Sequence, residues 1–166
     1  MAKKPTRPAL ERRNYTFEVR AEQDEQHGAI ITGRPVVYNS ETDIGGVFAE
    51  VIERGALDGA DLTDVRFLVN HDLTRIPLAR SRNNNEHSTM QLTVDEDGLS
   101  IRVTLDVENN SEARALHSAV QRGDISGMSF MFSVAEEWAE NLDSDYPTRH
   151  ITKIASIVEG SAGTFP

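Results

Sequence analysis

The chain has no cysteine among its 166 residues. That one absence removes disulfides, thiolate-bound zinc and cysteine nucleophiles together. No stretch approaches the roughly 20 consecutive apolar residues of a membrane-spanning helix, and the basic N-terminus leads into no apolar run, so neither a membrane association nor a secretory signal is expected. An HExxH motif and any close histidine pair at ligand spacing are also missing, so no metal or other cofactor is expected. Cationic surface is scarce as well. The net charge is −10, and residues 1–13 hold five Lys/Arg against one Glu, which leaves the rest of the chain more acidic still. Phosphate neutralisation needs clustered Lys and Arg, so no nucleic-acid partner is expected. Residues 1–13, with two prolines and no apolar periodicity, read as a disordered basic tail. Residues 14–166 read as one domain, long enough to bury a core without cross-links.

What is present is mostly a two-residue period broken by turn residues. Strands are predicted over Asn14 to Arg20, Gly28 to Tyr38, Phe48 to Ile52, Val65 to His71, Ile125 to Val134 and Ile151 to Val158. Gly33 and Pro35 mark a bulge or edge in the second of these. Residues 39–46 and 81–88 read as loops, and 53–57 as a brief helical turn. Met90 to Val94 and Leu99 to Val107 form a hairpin through Asp95-Glu96-Asp97-Gly98. A helix follows, capped by Asn109 or Asn110, with Ala113, Leu116 and Val120 on its apolar face and Gly123 at its end. Many strands around one good helix predict a mainly β domain with peripheral helices (α+β), built as a closed or nearly closed barrel.

Without cysteine, a nucleophile must be a hydroxyl or a carboxylate, and a serine hydroxyl needs a base. Of the five histidines, His27, His87 and His117 sit among charged or polar neighbours or on the outer part of the helix, and read as solvated surface. His71 ends an apolar strand and leads into Asp72 and a loop, a position where a scaffold holds an imidazole at its rim. In Gly127-Met128-Ser129-Phe130-Met131-Phe132-Ser133, Met128, Phe130 and Phe132 share one face of a strand, and Ser129 points to the other. A third group should orient the imidazole. Glu159, after the last apolar strand residues, and His150, at the head of that strand, both qualify chemically.

In order along the chain, these segments resemble the prohead proteases of tailed bacteriophages, distant relatives in fold of the herpesvirus assemblin proteases. The resemblance runs from about Gly28 to the C-terminus. It includes Thr32-Gly33-Arg34-Pro35-Val36-Val37-Tyr38-Asn39 and Gly45-Gly46-Val47-Phe48-Ala49-Glu50-Val51-Ile52. Its most specific parts are Phe67-Leu68-Val69-Asn70-His71-Asp72, followed by Ile76-Pro77-Leu78-Ala79-Arg80, and Arg122-Gly123-Asp124-Ile125-Ser126-Gly127-Met128-Ser129-Phe130-Met131-Phe132. Ile157-Val158-Glu159-Gly160-Ser161 resembles the closing segment. Ala79 stands where the family usually has glycine, and Gly160 where it has an apolar residue.

The resemblance implies an assemblin-like barrel and a serine endopeptidase with Ser129 as nucleophile, His71 as base and Glu159 as third member, His150 remaining the competitor. It further implies the major capsid protein's scaffolding segment and the protease itself as substrates. A homodimer or higher homo-oligomer and a location inside the assembling prohead in the host cytoplasm complete the expectation. The rival class is a non-enzymatic capsid-assembly or scaffolding module on the same fold. A scaffold has no need of His71 and Ser129 together, which weighs against it.

Overall fold

Alternating apolar residues and closely spaced turn residues favour short strands, and strands dominate the computed structural model, which describes residues 9–15, 19–26 and 28–163. The described elements are β1 (Leu10–Tyr15), β2 (Val19–Asp24), β3 (Gly28–Val37), β4 (Thr42–Ile44), β5 (Phe48–Ile52) and β6 (Asp64–Val69), then β7 (Ala79–Arg82), β8 (Met90–Asp95), β9 (Gly98–Leu105), α1 (Ser111–Arg122), β10 (Gly127–Glu140) and β11 (Thr148–Gly163). The main sheet runs β1-β10-β11-β5-β4, with β6 also paired to β11 and β7 to β6; the smaller sheet runs β2-β3-β9-β8. The domain is thus mainly β with one helix among the described residues, an α+β arrangement. Among those residues the ladders form two sheets with free ends, and no closed barrel is found.

One apolar core joins both sheets and the helix. Ile31, Leu99, Ile101 and Val103 enter it from the smaller sheet, Phe67, Phe130, Phe132 and Ile154 from the main sheet, and Ala113, Leu116 and Val120 from α1. The helix ends are closed by short-range hydrogen bonds, as the sequence predicts. The Asn110 side chain accepts from the Glu112 and Ala113 amides, and Gly123 takes the left-handed conformation with its N–H on a carbonyl of the last turn. The β8–β9 hairpin also lies where expected, with the Asp95 carboxylate accepting from the Asp97 and Gly98 amides at 2.9 and 3.1 Å. Arg34 beside it, then the Asp97 amide, hold the Asp95 carboxyl down at about 2. The β3 ladder slips between Gly33 and Val36, the bulge foreseen at Gly33 and Pro35.

Long-range pairing changes several other expectations. The 39–46 segment contains β4, which pairs with β5. Residues 53–57 form successive reverse turns instead of a helical turn, with Gly55 at φ 84°. The strand expected over Asn14 to Arg20 is divided between β1 and β2, residues 16–18 lying outside the described residues.

The expected tail also has a structured end. Residues 1–8 lie outside the described residues, but Leu10 to Arg13 belong to β1, antiparallel to β10. The reason is electrostatic as well as backbone pairing. Arg13 makes two bonds to Glu50, at 2.7 and 2.8 Å, and the Glu50 side chain is fully buried. Arg149 lies 3.2 Å from Glu50 and holds Glu11 with two bonds at 2.7 and 2.9 Å, keeping the Glu11 carboxyl below its usual range. Sequence patterning has no means of seeing these partners, which lie far along the chain.

Two stability predictions follow from these contacts. Arg13→Ala leaves buried Glu50 with Arg149 alone and should cost about 2–3 kcal/mol in urea unfolding, somewhat less than complete loss of a buried pair's partner. Gly98→Ala should cost about 3 kcal/mol or more in the same assay, because a β-carbon there would stand 2.0 Å from the Val36 carbonyl oxygen at a φ of 138°.

Candidate active site

β11 forms the centre of the site because it is hydrogen-bonded on both edges. Along one edge it is antiparallel to β10, with Ser129 opposite Ser161 and Met131 opposite Glu159. Along the other, its C-terminal half is parallel to β6, with Ser161 opposite Leu68 and Ala162 opposite Val69. Three neighbouring strands therefore present the three groups: Ser129 from β10, Glu159 from β11, and His71 from just beyond β6.

Ser129 lies on the face of β10 opposite Phe130 and Phe132, as the period of two predicts. That face is buried. Ser129 is 5% exposed, and Met131 and Ser133 beside it are equally covered. His71 differs from expectation in its backbone. The strand stops at Val69, and Asn70 and His71 both take positive φ, 51° and 56°. Two consecutive left-handed residues are costly outside glycine and concentrate at functional sites. Here they fold the chain back at the strand end. The Asn70 amide donates to the Ala162 carbonyl at 3.0 Å, and the His71 amide donates to the Ser161 hydroxyl oxygen at 3.1 Å.

The His71 ring is held between the other two groups. Its Nδ1 lies 2.7 and 2.9 Å from the two Glu159 oxygens, and its Nε2 lies 2.5 Å from Ser129 Oγ. A carboxylate can only accept, so Nδ1 carries the hydrogen and Nε2 is left to accept from the serine hydroxyl. Glu159 is 1% exposed, and the Ser161 hydroxyl donates to its Oε1. Ser161 thus contacts both the backbone of His71 and the carboxylate that faces the His71 ring. The sequence reading gave it no role. Its signal was present: Glu159 and Ser161 stand two apart on a strand and so share a face.

His150 is elsewhere. It heads β11 opposite Trp138, stacks on that indole with ring centroids 4.0 Å apart, and lies 2.8 Å from Glu140. His117 departs from the solvated reading, being buried where α1 packs on β2, with Nε2 donating to the Glu22 carbonyl at 3.1 Å. His87 is exposed, and His27 lies outside the described residues. Gly160 needs no special pleading as a departure from the family pattern. A β-carbon there would meet only the Ser129 carbonyl oxygen at 3.9 Å, an ordinary contact.

A hydroxyl bonded to an imidazole, itself backed by a buried carboxylate, has the arrangement of a serine hydrolase: the base can take the hydroxyl proton while the carboxylate stabilises the resulting charge. A family model described as caudovirus prohead serine protease matches residues 15–166, and the chain belongs to that family. It is a serine peptidase of phage capsid maturation, a class that implies interaction with capsid proteins. Comparison with curated proteins and with solved structures gave no match.

Glu159→Gln keeps the shape of the side chain but lets its amide present a donor to Nδ1, favouring the wrong tautomer. Peptide hydrolysis should fall in kcat by about 10³–10⁴-fold with KM little changed. A kcat within a few-fold of wild type, in protein whose circular dichroism is unaltered, would remove Glu159 from the site.

Proposed function

We propose that Ser129, His71 and Glu159 carry out peptide-bond hydrolysis on the scaffolding segment of the major capsid protein, and on the protease itself, inside the assembling prohead. The observation that carries this reading is the unbroken line from Ser129 Oγ through both ring nitrogens of His71 to Glu159.

In this mechanism Ser129 Oγ bonds to the scissile carbonyl carbon as its proton passes to His71 Nε2. The tetrahedral adduct collapses, the C–N bond breaks, and the leaving amine takes the proton from Nε2. Water then attacks the acyl-enzyme, giving a proton to Nε2. Collapse of the second adduct releases the carboxylic acid and returns that proton to Ser129. Glu159 holds the tautomer of the neutral ring and stabilises its positive charge each time Nε2 is protonated, and Ser161 positions Glu159 and the His71 backbone. His150, engaged with Trp138 and Glu140, is assigned no part.

The same proposal treats residues 14–166, joined by the β1 residues Leu10 to Arg13, as a single protease domain, places it in the host cytoplasm within the prohead, and includes self-association as a homodimer or larger homo-oligomer. Distant kinship in fold with the herpesvirus assemblin proteases also belongs to it. The mainly β composition supports that kinship in class.

Co-expression with the capsid protein tests the reading directly. Ser129→Ala and His71→Ala should each leave the capsid protein at full length on a denaturing gel, while wild type shortens it. Normal shortening with both variants would end the proposal.

A further inference from the structure

A cavity of about 450 Å³ lies beside His71, between the 68–78 segment and α1. That is within the usual range for a site that encloses a ligand group. Val69, Leu78, Leu116 and Ile125 give it apolar walls. Ile76 stands at its lip and is 83% exposed, an unusual degree for a large aliphatic side chain next to an apolar hollow. The charged groups at its rim are already matched. Arg75 pairs with Glu112 of α1 and lies 3.5 Å from Asp72, tying the loop after His71 to the helix. The Thr74 hydroxyl holds the Asp72 carboxyl below its usual range. With its charges paired on the rim and its walls aliphatic, the hollow suits an uncharged, apolar group.

Its position relates it to the reacting groups. Asn70 and Asp72, on either side of His71, both line it, and Ile125 lies in the segment that leads into β10 and Ser129. An extended peptide advances about 3.3 Å per residue, so a chain whose carbonyl rests at Ser129 brings neighbouring side chains past this opening. The helix leaves the space free because Ala115 and Ala119, one turn apart, face it with the smallest side chains.

We propose that this cavity is a specificity pocket of the protease, receiving one large aliphatic or aromatic side chain of the peptide substrate near the cleaved bond. The inference rests on the acyl-transfer reading of Ser129 and His71.

The test uses peptides spanning the bond that wild type cuts in the capsid protein, located by mass spectrometry, with Leu, Phe, Ala or Asp placed in turn at each flanking position. Wild type should prefer Leu or Phe over Ala at one position by about tenfold or more in kcat/KM. Ala119→Phe, which fills the hollow from the helix, should bring that ratio near unity at the same position while leaving the other positions' ratios as they were. Ala115→Phe, at an exposed helix position, provides a second variant should the first fold poorly. Lack of any apolar preference in wild type, or its survival in both folded variants, overturns the pocket. So does a change confined to sedimentation behaviour, which would mean that a second copy fills it. Labelling of wild-type Ser129 by a fluorophosphonate separates the two readings. If the label is absent, the acyl-transfer reading falls and the pocket with it; if present, the peptide ratios judge the pocket alone.

Discussion

Pairing of β11 on both edges is the constraint on which the site depends. Adjacent strands stand about 4.8 Å apart, and side chains alternate faces with a period of two. A shift of one residue in β11 would turn Glu159 and Ser161 away from Ser129 and toward the opposite layer. The register is secured from two directions, by antiparallel β10 and by parallel β6. The Ser133 and Ser156 hydroxyls, 2.7 Å apart, add a side-chain link farther along the same pair of strands. Apolar packing of Phe130 and Phe132 on the reverse face then holds β10 against the shared core.

The second constraint is ionic and lies along the same sheet. β10 would expose its free edge where Ser129 sits; β1 occupies that edge through Tyr15. The pairing of β1 is reinforced by a buried carboxylate, Glu50, shared between Arg13 and Arg149. Desolvation offsets much of the attraction in such a cluster, while loss of one partner leaves a buried charge uncompensated. Glu50 on β5 and Arg149 on β11 thereby connect the N-terminal strand to the same strand that carries Glu159.

Features encoded within a few residues were legible in the sequence. Asn110 and Gly123 bound the helix, Asp95 to Gly98 make the turn, and alternation places Ser129 off the Phe face. What depended on distant partners was not. β1 reads as tail because its partners are Glu50, Arg149 and β10. His117 reads as surface because β2 covers it from far along the chain. The choice between Glu159 and His150 as the group behind His71 could not be made chemically, since either can bond to an imidazole. The strand register decides which one lies near it. The left-handed turn at Asn70 and His71 had a local clue, as asparagine tolerates that conformation better than most residues. Its purpose became visible only with Ser161 and Ala162 alongside.

The separations along the chain have a consequence for timing. His71 meets Glu159 across 88 positions and Ser129 across 58. Contacts of such span are slow to form, because loop closure must precede the contact energy that rewards it. Glu159 also leaves the ribosome after both of the other groups. A nascent chain therefore carries a serine and a histidine with no shared geometry, and the cluster comes into being only when β11 inserts between its two neighbours. The order of synthesis and of strand pairing thus leaves the three side chains apart until the sheet is complete.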